Sequence, residues 1–232
     1  LYTPFLGGVK ISSIMIVLNL KTYLEGTGEN SVKIAQACKD VADDSGIDIA
    51  VAPQFCDIYR VASQVDIPVY SQHLDSVGAG SFTGHAFSSC IKDAGAIGTL
   101  INHSERRLTL AEIDASVQIS KKAGLATIVC TNNVPTSAAA AALSPDYVAV
   151  EPPELIGSGI PVSKADPAVV TGSVEAILKV NPAVKVLCGA GISKGEDLAA
   201  ALELGSVGVL LASGIVKAAD PKAALEDLVS KV

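Results

Sequence analysis

The residues best suited to chemistry in this chain are a carboxylate, an imidazole and an ammonium, each placed just behind a short β-branched run. Glu151 follows Val148-Ala149-Val150 and precedes Pro152, which restrains the glutamate backbone to extended conformations. A carboxylate held at the end of a buried strand and shielded from water has a raised pKa, which suits a general base. An arbitrary Glu-Pro is more often a surface turn; the apolar run directly before this one favours the functional reading. His103 follows Thr99-Leu100-Ile101-Asn102 and opens Ser104-Glu105-Arg106-Arg107. A single histidine in such a place is commonly structural, but the Ser-Glu pair after it predicts a helix start. The dipole of that helix would favour the neutral imidazole, a form that donates to a carbonyl oxygen without carrying charge. Lys21 lies two residues beyond the end of Met15-Ile16-Val17-Leu18-Asn19. From there it can reach inward as the cation for a substrate oxygen or phosphate, where the default for a lysine is a solvated loop.

Positioning these groups falls to an alternation of short β-branched runs and longer amphipathic stretches, the order of parallel βα units. The first strand, 15–19, is followed by a helix over 31–44. Strands at 47–51, 69–72, 98–101 and 126–130 alternate with helices at 57–65, 88–94, 110–123 and 136–143. A strand at 147–150 leads through a long loop to a helix opened by Asp166-Pro167, a capping residue with proline at the first helical position. Strands at 184–187 and 207–211 alternate with helices at 195–204 and 221–232, and Gly124 and Gly205 close two of the helices. Eight units close a (β/α)8 barrel, a single α/β domain over residues 14–232, with residues 1–13 set apart as a lead-in of undetermined origin. The rival, a doubly wound open sheet, usually carries a G-x-G-x-x-G turn after its first strand, and Asn19-Leu20-Lys21 is no such turn.

In a barrel of this kind chemistry sits at the C-terminal ends of the strands, so Lys21, His103 and Glu151 are expected at one mouth. The seventh strand ends in Gly189-Ala190-Gly191 and the eighth in Ala212-Ser213-Gly214. Glycine-rich turns occur everywhere; their place after strands seven and eight is what suggests a phosphate grip of backbone N–H groups, helped by a short helix after the eighth strand. Between Glu151 and Asp166, the stretch Pro152-Pro153-Glu154-Leu155-Ile156-Gly157-Ser158-Gly159 has an apolar tip and glycine hinges, and reads as a lid. Its closure would expel water and bring the Gly157 N–H onto the phosphate.

Composition bounds the partners. The net charge is −7 and the calculated pI about 4.9, which argues against nucleic acid and a membrane-seeking basic patch. An anionic substrate would have to be met by local cations and N–H groups. Five widely spaced cysteines without a C-x-x-C pair point to reduced thiols and a cytoplasmic setting. His73, His85 and His103 show no ligand spacing, so no metal is expected. No apolar run reaches the length of about 18 residues needed to span a membrane. Hydrophobic residues are 49% against 18% charged, with a mean hydropathy of +0.44, more apolar material than a monomer would be expected to enclose.

Together, Asn19-x-Lys21, Asn102-His103-Ser104-Glu105, Glu151-Pro152-Pro153-Glu154-Leu155-Ile156-Gly157 and Cys188-Gly189-Ala190-Gly191-Ile192-Ser193 resemble the triosephosphate isomerase family. The resemblance runs from about Ile16 to the C-terminus and is nearest to the short archaeal branch. It implies interconversion of dihydroxyacetone phosphate and D-glyceraldehyde 3-phosphate, in glycolysis and gluconeogenesis, without cofactor or metal. It further implies Glu151 as the base, His103 as the electrophile that shuttles protons between oxygens, and Lys21 with Asn19 as substrate holders. Ile156, Gly157, Gly191, Ala212 and Ser213 would then form the phosphate grip, with Glu105 supporting from behind. The chain departs from bacterial and eukaryotic members in having Glu154-Leu155 where they carry a tryptophan, and Ala212-Ser213 where they carry paired glycines. Its shortness in the region of the fourth and fifth helices goes, in the archaeal branch, with homotetramers. Other phosphate-binding barrels fit less well: epimerases use metal-ligating His and Asp at strand ends, and tryptophan-pathway barrels bring other acids and bases. A non-catalytic sugar-phosphate binder would have no need of the set Glu151, His103 and Lys21.

Overall fold

The computed structural model describes residues 14–152, 160–161 and 165–232. Its strands are β1 (Met15–Asn19), β2 (Asp48–Ala52), β3 (Tyr70–Ser71), β4 (Gly98–Ile101), β5 (Ala126–Thr131), β6 (Tyr147–Val150), β7 (Lys185–Gly189) and β8 (Gly208–Leu211). The described helices are α1 (Glu29–Ser45), α2 (Phe55–Ala62), α3 (Ser88–Asp93), α4 (Leu110–Ala123), α5 (Val134–Ala142), α6 (Pro167–Val180), α7 (Gly195–Glu203), the single-turn α8 (Ser213–Val216) and α9 (Pro221–Val229). The strands pair in the order β2-β1-β8-β7-β6-β5-β4-β3, and each of these pairings is parallel. The ring is completed between β2 and β3 by a parallel bridge of Val51 with Val69, where the Val51 N–H donates to the Pro68 carbonyl at 3.0 Å. The expected eight-unit barrel is therefore what forms.

Side-chain parity along the strands divides the core in two. Val17, Ala50, Ala52, Leu100, Ile128, Cys130, Ala149, Leu187 and Leu210 belong to one buried cluster, the filling of the barrel. Their neighbours in sequence, among them Ile16, Leu18, Ile49, Val51, Val209 and Leu211, pack outward against α1, α7 and α9; Ile101, Val129, Val148, Val150 and Val186 do the same against α4, α5 and α6. A strand buried on both faces reads as a continuous β-branched run for this reason. Small residues are required where backbones or rings meet. A Cβ on Gly208 would overlap the Met15 carbonyl of the adjacent strand, and one on Gly98 would overlap the Tyr70 ring.

Local signals set most helix ends. Thr109 and Glu112 form a reciprocal capping box at the start of α4, and Gly124, at φ +70°, ends it in the left-handed conformation. Asp166 caps α6 with Pro167 at its first position, as the sequence predicts. Other boundaries move. The α2 helix starts at Phe55, and α5 starts at Val134 because Asn133 takes the cap and accepts from the Thr136 N–H at 3.0 Å. The helix expected at Ser104 is absent: residues 104–106 form a turn and a bend, and α4 begins only at Leu110. Pairing of Asn102 Oδ1 with the Leu108 N–H at 2.8 Å folds the intervening residues back instead.

Candidate active site

The same parity that fills the barrel carries polar groups to its C-terminal mouth. Asn19 is the next inward position after Val17, and Glu151 the next after Ala149, so each tops a column of buried apolar residues. Glu151 is held by its own backbone, whose N–H donates to the Thr131 carbonyl at 2.7 Å, and by Pro152 behind it. Against it lies Gly189, where a Cβ would overlap Glu151 Cγ; the bare glycine is what leaves room for the carboxylate.

Glu151 is 5% exposed, and its Oε2 finds no hydrogen-bond partner among the described residues. Burial pushes its carboxyl above the ordinary value, outweighing the opposing influences of His103, the Cys130 thiol, Lys21 and Arg107. Burial likewise raises the Cys130 thiol, and the Glu151 charge adds to that rise. His103 Nε2 stands 3.8 Å from Glu151 Oε2, too far for a hydrogen bond and near enough to share a small ligand. The Glu105 N–H donates to His103 Nδ1 at 3.2 Å. A ring nitrogen that accepts is unprotonated, so in the neutral ring the proton sits on Nε2, which faces Glu151. The turn amide, not a helix dipole, orients the imidazole.

Lys21 adopts a left-handed φ of +48° and is tied at three points. Its N–H donates to Asn19 Oδ1 at 2.9 Å, its carbonyl accepts from Gln72 Nε2 at 2.9 Å, and its Nζ pairs with Glu105 Oε1 at 2.7 Å. Glu105 thus supports the cation through its side chain and the imidazole through its backbone. One cavity is lined by Asn19, Lys21, His103, Glu151, Gly191, Ala212 and Ser213 together, so these expected site residues converge. Glu105 lines an adjoining cavity that shares Asn19, Lys21 and His103. Ile156 and Gly157, with the rest of the expected lid tip, lie outside the described residues. On the far side of the cavity, Gly191 has φ +72°, and a Cβ there would overlap the Ile160 carbonyl. Ala212 precedes α8 and its carbonyl accepts from the Ile215 and Val216 N–H groups, while Ser213 and Gly214 line the same cavity. Tyr23 and Ser193 also line the cavity. Both sit in irregular chain past a strand end; no local pattern marks Tyr23, while Ser193 ends the Cys188-to-Ser193 stretch singled out in the sequence. Cys130 touches Glu151 because β5 and β6 pair with Cys130 opposite Ala149, a neighbour that only the strand register reveals.

A closed parallel barrel with a buried carboxylate, an oriented imidazole and a fixed ammonium around one cavity at its C-terminal rim defines a (β/α)8-barrel enzyme built for proton transfer on a small anion. The family model for triosephosphate isomerase matches residues 14–232. Triosephosphate isomerases of Methanococcoides burtonii and Methanosarcina barkeri are 80% and 75% identical, over 94% and 92% of this chain and 99% and 96% of theirs. That of Methanocaldococcus jannaschii is 58% identical over 93% of this chain and 99% of its own. The chain belongs to the triosephosphate isomerase family.

Proposed function

We propose that the chain interconverts dihydroxyacetone phosphate and D-glyceraldehyde 3-phosphate by proton transfer through an enediolate. The observation that carries this reading is the buried carboxylate of Glu151, one oxygen without a partner among the described residues, facing the Nε2 side of an imidazole whose other nitrogen is already engaged. Glu151 takes the proton from one carbon and returns it to the neighbouring one. His103 donates from Nε2 to the carbonyl oxygen on which negative charge develops, then moves protons between the two oxygens. A glutamate base paired with a neutral imidazole is, in this same family, the standard worked case of environment setting protonation. Lys21 and Asn19 hold the substrate and offset its charge, and Glu105 keeps Lys21 and His103 in place. Gly191, Ala212 and Ser213 grip the phosphate through backbone N–H groups, with Ile156 and Gly157 completing the grip from the lid.

The relatives' shared name and the Lys21 cation at the cavity of a chain of net charge −7 both support this substrate. The five cysteines are free, and no described helix is long and apolar enough to cross a membrane; a cytoplasmic role in glycolysis and gluconeogenesis is consistent with both. A homotetramer, with residues 1–13 as a lead-in ahead of the barrel, completes the proposal. The deciding experiment is a coupled assay on triose phosphate with the parent chain and Glu151→Asp. Shortening the base by one methylene should lower kcat by about 100-fold or more with the fold intact, since near-attack geometry is lost. Equal turnover by both proteins would remove Glu151 from the mechanism.

A further inference from the structure

By strand parity His103 should point away from the site. Ile101 packs outward among α4 and α6, and His103, two residues later, would inherit that direction in an extended chain. It lines the cavity instead because Asn102 stands between them at φ +62°. Left-handed backbone is unfavourable for most side chains, and asparagine tolerates it best after glycine. Here the side chain also locks it. Asn102 Nδ2 donates to the Cys130 carbonyl at 2.9 Å, and Oδ1 accepts from the Leu108 N–H at 2.8 Å. Only one orientation of the amide satisfies both bonds. The Asn102 carbonyl accepts from Arg107 Nη1 at 3.2 Å, which holds the peptide unit leading into His103.

The anchor chosen by Nδ2 matters. Cys130 lies on β5, and the next residue, Thr131, accepts the Glu151 N–H at 2.7 Å. The imidazole's arm and the base's backbone are therefore fastened to adjacent residues of one strand. We infer that Asn102 is a positioning residue that sets the placement of His103 relative to Glu151, by turning the chain inward after β4 and clamping it to β5. This inference rests on the isomerase reading for its effect on turnover, and on geometry alone for its effect on the ring.

Asn102→Gly keeps the left-handed backbone accessible while deleting both side-chain bonds. Asn102→Asp keeps the acceptor for the Leu108 N–H and sets an oxygen against the Cys130 carbonyl where a donor stood. For both, kcat on triose phosphate should fall by about 10-fold or more with KM little changed, since a misplaced electrophile weakens the transition state more than binding. The 15N spectrum of the His103 ring should change from one fixed tautomer, protonated at Nε2, to an exchanging mixture. Parent-like kcat and parent-like ring signals in folded Asn102→Gly would overturn the inference. So would a loss of kcat that follows only a lower Tm, with the ring spectrum unmoved. Should the glycine variant not fold, the aspartate variant decides by the same two readouts. A parent chain with no turnover would sink the isomerase reading instead, and the ring spectra alone would then uphold or overturn the role of Asn102.

Discussion

Ionising Glu151 inside the barrel mouth works against the fold, because burial lifts its carboxyl above the unfolded value of about 4.3. Between that value and the raised one, the folded chain holds a proton that the unfolded chain has released. Stability on this account falls as pH rises through that window and levels off above it. Glu151→Gln should therefore melt higher than the parent at pH 7, with the margin closing near pH 4. Thermal unfolding at the two pH values checks this; an equal or lower Tm at pH 7 would mean the carboxylate is stabilised by something other than what surrounds it here. Lys21 answers to substrate instead. It is the cation lining a cavity in a chain of net charge −7, and its Nζ is already oriented by Glu105. Lys21→Ala should raise KM and lower kcat together, cutting kcat/KM by about 100-fold or more, because both the bound dianion and the enediolate lose their counter-charge. Steady-state kinetics matching the parent would return Lys21 to the solvent.

Strands make these side chains usable, and strand logic is also where sequence reading succeeds and stops. Glu151 and Asn19 were legible because each extends a period-two column whose lower members are apolar, so their inward direction follows from counting. His103 was legible as a strand-end residue but not as an inward one, since parity alone sends it the other way and the reversal depends on φ at Asn102. The helix expected at Ser104 failed for a related reason: a long-range pairing, Asn102 with Leu108, overrides the local Ser-Glu signal. Contacts between strands, such as Cys130 against Glu151, needed the register of β5 on β6. Gly189 belongs to this class as well. The sequence singles it out only as part of the Gly189-Ala190-Gly191 turn, yet its missing Cβ is the space that Glu151 Cγ occupies. Its φ is not in the left-handed region, so alanine meets no backbone objection there. Gly189→Ala should leave the circular dichroism spectrum unchanged and lower kcat by about 100-fold, because a displacement of the base on the order of 1 Å is enough. Unimpaired kcat would show that β7 does not shape the carboxylate's seat.

At the scale of the whole molecule, the apolar inventory exceeds what one barrel encloses. Two buried systems, inside and outside the strand cylinder, absorb the Val, Ile and Leu of the strands and inner helix faces. Large apolar side chains nevertheless remain in the open: Leu24, Tyr59, Ile97, Leu110, Leu178 and Val180 are each between 47% and 83% exposed. They are spread over several elements, including the start of α4 and the end of α6. The α5 helix between those regions carries five consecutive alanines, Ala138 to Ala142, side chains too short to keep a neighbouring backbone at a distance. Isologous contacts built on two different faces generate a tetramer of dihedral symmetry, whereas one face closes at a dimer. The homotetramer proposed above would use two such faces. Sedimentation velocity at micromolar concentration should give a species near four times the 23.6 kDa of one chain. Leu178→Glu, which places a charge on one of these faces, should reduce it to a dimer, because a carboxylate buried without a partner opposes association. A parent species at the mass of a dimer or monomer would leave the exposed side chains at the end of α6 without a covering partner, and the tetramer would have to be abandoned.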